Sequence, residues 1–258
     1  MTDRSGRSIG VAPDHYSYTA YADPSMADAF EALRFGGPIG ELLADTQARV
    51  LNDFVGRGPG VSVLDVGTGT GRAALALAAA GARVTGVDAS AEMLRVARTR
   101  AAERRLDVAF APGDAHALPF EAGSFDVAVS LRVLMHTPEW RRCLGELCRV
   151  ARRRVVFDYP ALASAAAVQA LTRRAAAALG AHTEAYRVFS DRTVRRELSL
   201  HGFAIRHVHR QFVLPIALHK RIGSRSFTER IEHALASVGL RRLIGSPVTV
   251  VAERCGSS

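Results

Sequence analysis

The run Val63-Leu64-Asp65-Val66-Gly67-Thr68-Gly69-Thr70-Gly71-Arg72 constrains this chain more than any other stretch. Val61, Val63, Leu64 and Val66 make a short apolar strand, three glycines follow on alternate positions, and from Ala73 the apolar spacing is helical. Strand, glycine turn and helix in that order let backbone come closer to a ligand than a Cβ would allow. The same turn aims the free N–H groups of a helix N-terminus at that ligand. A second apolar strand, Val84 to Val87, ends in Asp88. A carboxylate there can accept hydrogen bonds from both hydroxyls of a ribose. The bland alternative is a plain glycine turn with a chance Asp beyond it. The pattern points to a nucleoside-containing cofactor.

Spacing narrows the choice. A dinucleotide turn is G-x-G-x-x-G, whereas this one is G-x-G-x-G with Asp65 two residues ahead of the first glycine. No Gly-Lys-Ser/Thr follows to cradle a triphosphate. On these residues the chain resembles the class I S-adenosylmethionine-dependent methyltransferases, and among them the branch that includes the ubiquinone and menaquinone biosynthesis enzymes. The resemblance runs from about Val61 to Tyr159. It implies S-adenosylmethionine as cofactor, S-adenosylhomocysteine as product, and methyl transfer by in-line displacement without a metal. A dehydrogenase of the NAD type loses on the glycine spacing.

Strands at 61–66, 82–87, 107–111, 125–130 and 154–159 alternate with helices at 70–80, 90–103 and 138–150. Ser90 and Thr137 are natural N-caps, the latter with Pro138 at the first helical position. The alternation predicts an α/β fold, Rossmann-like and doubly wound, with a mostly parallel sheet. Two helices precede it, 25–34 and 39–55, split by Gly36-Gly37-Pro38. After Pro160 the sequence predicts an alanine-rich helix over 161–180, a helix over 191–201 and a strand over 203–212. A basic amphipathic segment over 218–244 and a strand over 247–252 complete the chain. The resemblance implies a seven-stranded sheet whose last strand is antiparallel, formed by pairing 203–212 with 247–252. Residues 213–246 then become a helical insertion before the last strand. One domain is expected over 1–258: a disordered start (1–15), an N-terminal helical cap (16–58), a cofactor-binding core (59–160), and substrate-side helices with the last two strands (161–258).

The 258 residues suffice for one full α/β core, and no apolar run approaches a membrane span. The start, Met-Thr-Asp-Arg-Ser-Gly-Arg, lacks the apolar centre of a secretory signal. Cys143, Cys148 and Cys255 form no metal spacing and no disulfide framework, and the first two are expected on different sides of their helix. A cytoplasmic location fits. The net charge of +9 raises the question of nucleic acid. Yet all but one of the 34 basic residues are arginines, scattered along an alanine-rich chain. Arg152-Arg153-Arg154 is expected at a helix C-terminus, where cations suit the dipole. A solvated basic face is the preferred reading. An RNA methyltransferase rests on charge alone, and a catalytically silent cofactor-binding scaffold is the other alternative.

The resemblance assigns roles residue by residue. Gly67, Thr68, Gly69 and Gly71 cradle the methionine end of the cofactor, and Asp65 either contacts its ammonium or accepts N–H groups of the turn. Asp88, with Ala89 beside it, holds the ribose, while Met93 packs on the adenine or joins the core. Asp114 accepts from the adenine amino group and the Ala115 N–H meets the ring, unless Asp114 only shapes a turn. Ser130 closes the fourth strand against the cofactor, and Asp126 anchors a turn. Of Tyr16, Tyr18 and Tyr21, the last is the candidate to close over the sulfonium by cation–π attraction, or to form a packing cap.

His136 is the best-placed titratable group: it either takes a proton from a hydroxyl or acidic carbon, or is structural. Arg132, Asp158 and Tyr159 are candidate substrate contacts. No Asn-Pro-Pro-Tyr type motif sits at the end of the fourth strand and no cysteine at that strand end or the next, which weighs against amine methylation and against thiol-assisted methylation of cytosine. The expected acceptor is a small molecule, a phenol, quinol or related metabolite, methylated on oxygen or carbon. The segment 213–246, with His219, Lys220 and Arg221 placed on its basic face, either closes as a lid or lies on an anionic membrane holding a lipid-tailed acceptor.

Overall fold

The computed structural model describes residues 23–56, 60–164 and 186–256. The N-terminal fifteen residues, the three tyrosines and nearly all of the alanine-rich 161–180 segment lie outside them. Helices α1 (Pro24–Phe35) and α2 (Gly37–Val55) divide at Gly36-Gly37-Pro38, as the sequence predicts. Then β1 (Ser62–Val66), α3 (Arg72–Ala79), β2 (Arg83–Asp88), α4 (Ala91–Glu103), β3 (Val108–Pro112), β4 (Phe125–Ser130), α5 (Trp140–Val150) and β5 (Ala151–Tyr159) follow in turn. Helix α6 (Asp191–Leu200) leads into β6 (Phe203–Phe212). Three helices, α7 (Ile216–Ile222), α8 (Arg225–Ser237) and α9 (Leu240–Ile244), separate β6 from β7 (Ser246–Arg254).

The seven strands form one sheet in the order β3-β2-β1-β4-β5-β7-β6. Strand β7 runs antiparallel to both neighbours, and every other pairing is parallel. The strand order reverses at β1, which has β2 on one side and β4 on the other, so a crevice opens beyond its carboxyl end. All five residues of β1 are buried, because helices cover both faces of a parallel sheet. On one face Leu144, Leu147 and Val150 of α5 pack with Phe157, Tyr159 and Phe203. On the other, Leu51 and Val55 of α2 and Ala74 and Leu77 of α3 pack with Val127 and Val156. At the amino end of the sheet, Asp126 Oδ2 accepts from both N–H and Oγ–H of Ser62, tying the start of β4 to β1.

Three local expectations are corrected. Thr137 does not cap α5: residues 133–136 form a tight turn closed by the His136 N–H on Val133 O, and the Thr137 hydroxyl donates to Leu134 O, so the helix starts two residues after Pro138. The arginines 152–154 do not end α5 either, because the chain passes from Val150 directly into β5. There Arg152 pairs with Asp126 (3.2 Å) and Arg154 with Glu253 (3.0 Å). Cys143 and Cys148 are both buried, since the apolar stripe of α5 is wide enough to take both, and burial pushes the Cys148 thiol up to about 12. No helix among the described residues is long and apolar enough to cross a membrane.

Candidate functional site

A cavity of about 780 Å³ lies beyond the carboxyl ends of the strands, between the glycine turn, helices α1 and α2, and the segment that follows β6. The turn is stitched to β2: the N–H groups of Gly67 and Thr68 both donate to Val87 O, at 2.8 and 2.9 Å. Two of its glycines matter for different reasons. Gly67 has φ +70°, and a Cβ on it would lie 2.3 Å from Val133 Cγ2. Gly69 has φ +55°, and a Cβ there would meet no atom within 4 Å, so its bare face is turned to the cavity. Gly71, expected in the cradle, lies outside the cavity wall; a Cβ there would press on Ala97 Cβ at 3.1 Å, so it lets α3 pack on α4.

The acidic residues are already engaged. Asp65 is only 1% exposed, and its Oδ2 accepts from the Thr68 hydroxyl (2.7 Å) and the Ala74 N–H (3.1 Å). It therefore acts as the acceptor that stabilises the turn, while also forming part of the cavity wall. Burial pushes its pKa up to about 6, against the pull of those two donors and of Arg72. Asp88 accepts from the Gly69 N–H (2.8 Å) through Oδ2 and from the Ser90 N–H (2.9 Å) through Oδ1. Burial raises its pKa, and backbone N–H groups oppose that rise. The carboxylate also lines the cavity, where it can accept from a ligand hydroxyl. Ala89 and Met93 line the cavity next to it, Met93 buried with its N–H on the Ser90 cap. Asp114 Oδ1 holds both the N–H (2.9 Å) and the ring Nδ1 (2.7 Å) of His116, a partner that sequence reading missed, with Ala115 between them.

At the ends of β4 and β5 the alternation of strand side chains sorts the candidates. Asp158, 1% exposed, faces the cavity and accepts the Arg132 N–H at 2.5 Å. Burial raises its pKa, opposed first by the charge of Arg132. That bond holds Arg132 at φ +64°, a left-handed conformation that costs energy in any residue but glycine. Tyr159 is one residue on and so faces the other way: it is buried in the core and its hydroxyl donates to Asp191 Oδ1 (3.0 Å). Ser130 is likewise outside the cavity wall, its hydroxyl donating to Val66 O inside the sheet. Neither touches the site for which it was a candidate. His136 does line the cavity, with the ring of Tyr186 edge-on at 6.1 Å.

Two further groups of residues complete the wall. Helix α1 is pinned to the glycine turn through Glu31, which accepts from the Thr70 hydroxyl at 2.6 Å and pairs with Arg100 at 3.2 Å. Arg72 sits beside it, over the ring of Phe35. On the opposite side, Val213, Leu214 and Ile216 line the cavity, and a buried cluster fixes them. Glu232 of α8 accepts from the N–H groups of Val213 (2.8 Å) and Leu214 (2.9 Å) and holds His219 Nε2 at 2.9 Å, while Thr228 meets His219 Nδ1 at 3.1 Å. His219 is thus wholly buried and not part of a basic face, because its ring turns inward between α7 and α8.

Residues 63–154 match the family model described as a methyltransferase domain. Over 83 residues the chain is 42% identical to a demethylmenaquinone methyltransferase of Thermus thermophilus, 31% of this chain and 38% of that protein. Over 116 residues it is 40% identical to an uncharacterized protein of Mycobacterium tuberculosis, 45% of this chain and 39% of that one. The chain thus spans about two fifths of the length of these curated relatives. In fold it is similar to magnesium protoporphyrin IX methyltransferase from Synechocystis, solved with bound SAH (TM-score 0.63, 20% identity, 93% of this chain and 96% of that one). It is also similar to geranyl diphosphate C-methyltransferase from Streptomyces coelicolor (TM-score 0.61, 21% identity, 83% and 80%). The domain match falls on the strands and turn that build one half of the cavity. The walls from α1, α2 and 211–217 lie outside it.

Proposed function

We propose that this chain is an S-adenosylmethionine-dependent methyltransferase acting on an oxygen or carbon of a small, largely apolar acceptor. One observation carries the reading: the bare face of Gly69 turns to the cavity and is flanked by Asp88, a carboxylate on the same wall that can accept from hydroxyl groups. That is a cradle a Cβ would fill, so the residues fit the group. When bound, S-adenosylmethionine supplies a methyl group already activated on a sulfonium. The protein's part is binding and placement. Asp88 accepts the ribose hydroxyls, Asp114 and Ala115 take the adenine edge, and Asp65 faces the amino-acid end. Apolar walls from Phe35, Leu43, Leu131 and Val213 exclude water and hold the acceptor in line. His136 takes a proton from the acceptor where the acceptor is a hydroxyl or an acidic carbon. The demethylmenaquinone methyltransferase among the relatives makes quinols the first acceptors to try. The cap 16–58 and the insertion 213–246 then act as the acceptor-side closure of a single domain.

Isothermal titration with S-adenosylmethionine and S-adenosylhomocysteine tests the reading. Micromolar binding that Asp88→Ala abolishes and Asp88→Asn weakens supports it. Absence of binding by folded protein overturns it.

A further inference from the structure

We propose that the outer face of α7, α8 and α9 docks on an anionic membrane and turns the mouth of the cavity toward the bilayer. The docking stands on the surface alone; its use for an acceptor rests on the cavity being the ligand site of the preceding reading. The insertion 213–246 carries six of the eleven large apolar side chains exposed among the described residues: Ile216, Leu218, Ile222, Phe227, Val238 and Leu243. Val238 and Leu243 are 70% and 68% exposed, too open to water for side chains folded over the cavity. In the same segment Lys220, Arg221, Arg230, Arg241 and Arg242 are exposed and have no carboxylate partner among the described residues. The segment has two carboxylates of its own. Glu229 pairs with Arg225, and Glu232 is buried on His219. The outer surface is therefore apolar and positive, with no spare negative charge. That combination fits the headgroup layer of an anionic membrane, which takes apolar side chains and cations together. No helix among the described residues is long and apolar enough to cross a membrane, so these helices lie on it.

The cavity reaches the surface on this face. Ile216, Ala217 and Lys220 of α7 line it and are also exposed. Leu218, Arg221 and Ile222, at i, i+3 and i+4, share another side of the same short helix and point to solvent. The Lys220 ammonium donates to Arg34 O at 2.9 Å, which brings α7 against the end of α1. There Phe30 and Arg34 line the cavity, while Leu33 beside them is 62% exposed. Leu33 on one lip and Leu218 with Ile222 on the other thus frame the opening. The basic side chains among them can lay their stems along apolar surface and hold their charge at headgroup level. Inside the mouth the wall stays apolar at Phe35, Leu43 and Val213. An acceptor with an apolar tail passes from bilayer to cavity by this route without exposing the tail to water. A small, freely soluble acceptor gains nothing from such an opening. The acceptor is then of the lipid-tailed class.

Trp140 is the only tryptophan and is buried, so a tryptophan added at the surface reports what it touches. Phe227→Trp, Leu33→Trp and, on α6, Leu200→Trp are each titrated with vesicles of phosphatidylcholine, with and without phosphatidylglycerol, whose brominated acyl chains quench on contact. The anionic vesicles are expected to quench the first two variants and not Leu200→Trp, and phosphatidylcholine alone to quench none. Arg241→Gln with Arg242→Gln should weaken partition onto the anionic vesicles about tenfold to thirtyfold, from roughly fivefold for each cation. Equal quenching at all three positions marks adsorption through the net charge of +9 and overturns the proposal. No quenching at any position overturns it too, whether the helices serve only as a lid or meet a second copy of the chain. Quenching of Phe227→Trp without Leu33→Trp also overturns it, because the mouth then faces water. For the acceptor class, a decyl-substituted hydroquinone should bind the S-adenosylhomocysteine complex about tenfold or more tightly than hydroquinone does; equal affinity overturns that class. Titration of S-adenosylhomocysteine on the same proteins keeps the two readings apart. Vesicle quenching without nucleoside binding leaves the docking face standing and the methyltransferase reading fallen, and nucleoside binding without quenching does the reverse.

Discussion

Asp65 is held for its shape at an electrostatic cost, and that cost can be measured. Its carboxylate is closed off from water, and burial raises its pKa from 3.8 to about 6. At pH values well above both, that rise corresponds to about 3 kcal/mol. A carboxyl with a higher pKa folded than unfolded binds more protons in the folded state. The cost is therefore absent below pH 3.8, grows as pH rises, and is complete above about pH 6 to 7. Asp65→Asn keeps an oxygen for the Thr68 hydroxyl and the Ala74 N–H but removes the charge. Urea denaturation should find the two proteins similar near pH 4 and the variant more stable by about 2 to 3 kcal/mol at pH 7.5. A stability difference that does not change with pH would refute the argument, whatever its sign. Under the proposed function a second signature follows. An ammonium arriving beside Asp65 would lower its pKa, so titrations of S-adenosylhomocysteine at pH 6 in buffers of different ionisation enthalpy should register proton release. Asp65→Asn should release none.

Gly67→Ala should destabilise the protein by about 2 to 4 kcal/mol, because it adds both a clash with Val133 Cγ2 and a strained φ. Val133→Ala in the same chain should recover the clash but not the strain, and full rescue in denaturant melts would contradict this division. Glu232→Gln should loosen the cavity wall locally: hydrogen exchange should rise at Val213 and Leu214 while β1 and β4 stay protected. If exchange rises throughout, the cluster is part of the global core. The outer side of the insertion exposes Ile222, Phe227 and Leu243 near Arg221, Arg225 and Arg242. Flotation with anionic liposomes should retain the protein, and Phe227→Glu with Leu243→Glu should abolish retention; no flotation of the wild type would leave the segment as a lid alone.

Much of the fold was legible because its signals are local. The apolar run before Gly67 and the alternation from β1 to β5 follow from side-chain period and from what glycine permits. Ser90 was read as a cap from its place before a helical pattern, and its hydroxyl does accept the Met93 N–H. Thr137 was misread by the same rule, because the tight turn over 133–136 claims its hydroxyl first. Within the site, Asp88 and Asp158 were legible as residues at strand ends. Tyr159 was not separable from Asp158 until the register of β5 was fixed, since neighbours on a strand face opposite ways. Arg72 and Glu31 gave no signal: their importance depends on how α1 and α2 dock over the turn, a tertiary fact that no window of sequence contains. His219 looked basic and exposed among Lys220 and Arg221, and only the fold of α7 against α8 turns it inward.

The place of β7 has a consequence for how the chain is made. The last strand in sequence is not the last in the sheet: residues 246–254 lie between β5 and β6 and pair with both. During synthesis, β5 therefore shows an open edge and β6 has no strand to lie against until residues 246–254 leave the ribosome. Open edges of this kind recruit other chains. The half of the sheet that builds the glycine turn can form early, whereas the far half waits for β7. Loss of residues 246–254 would thus unseat two strands at once, and translation that stops before them would yield a chain with a formed glycine turn and an adhesive flank.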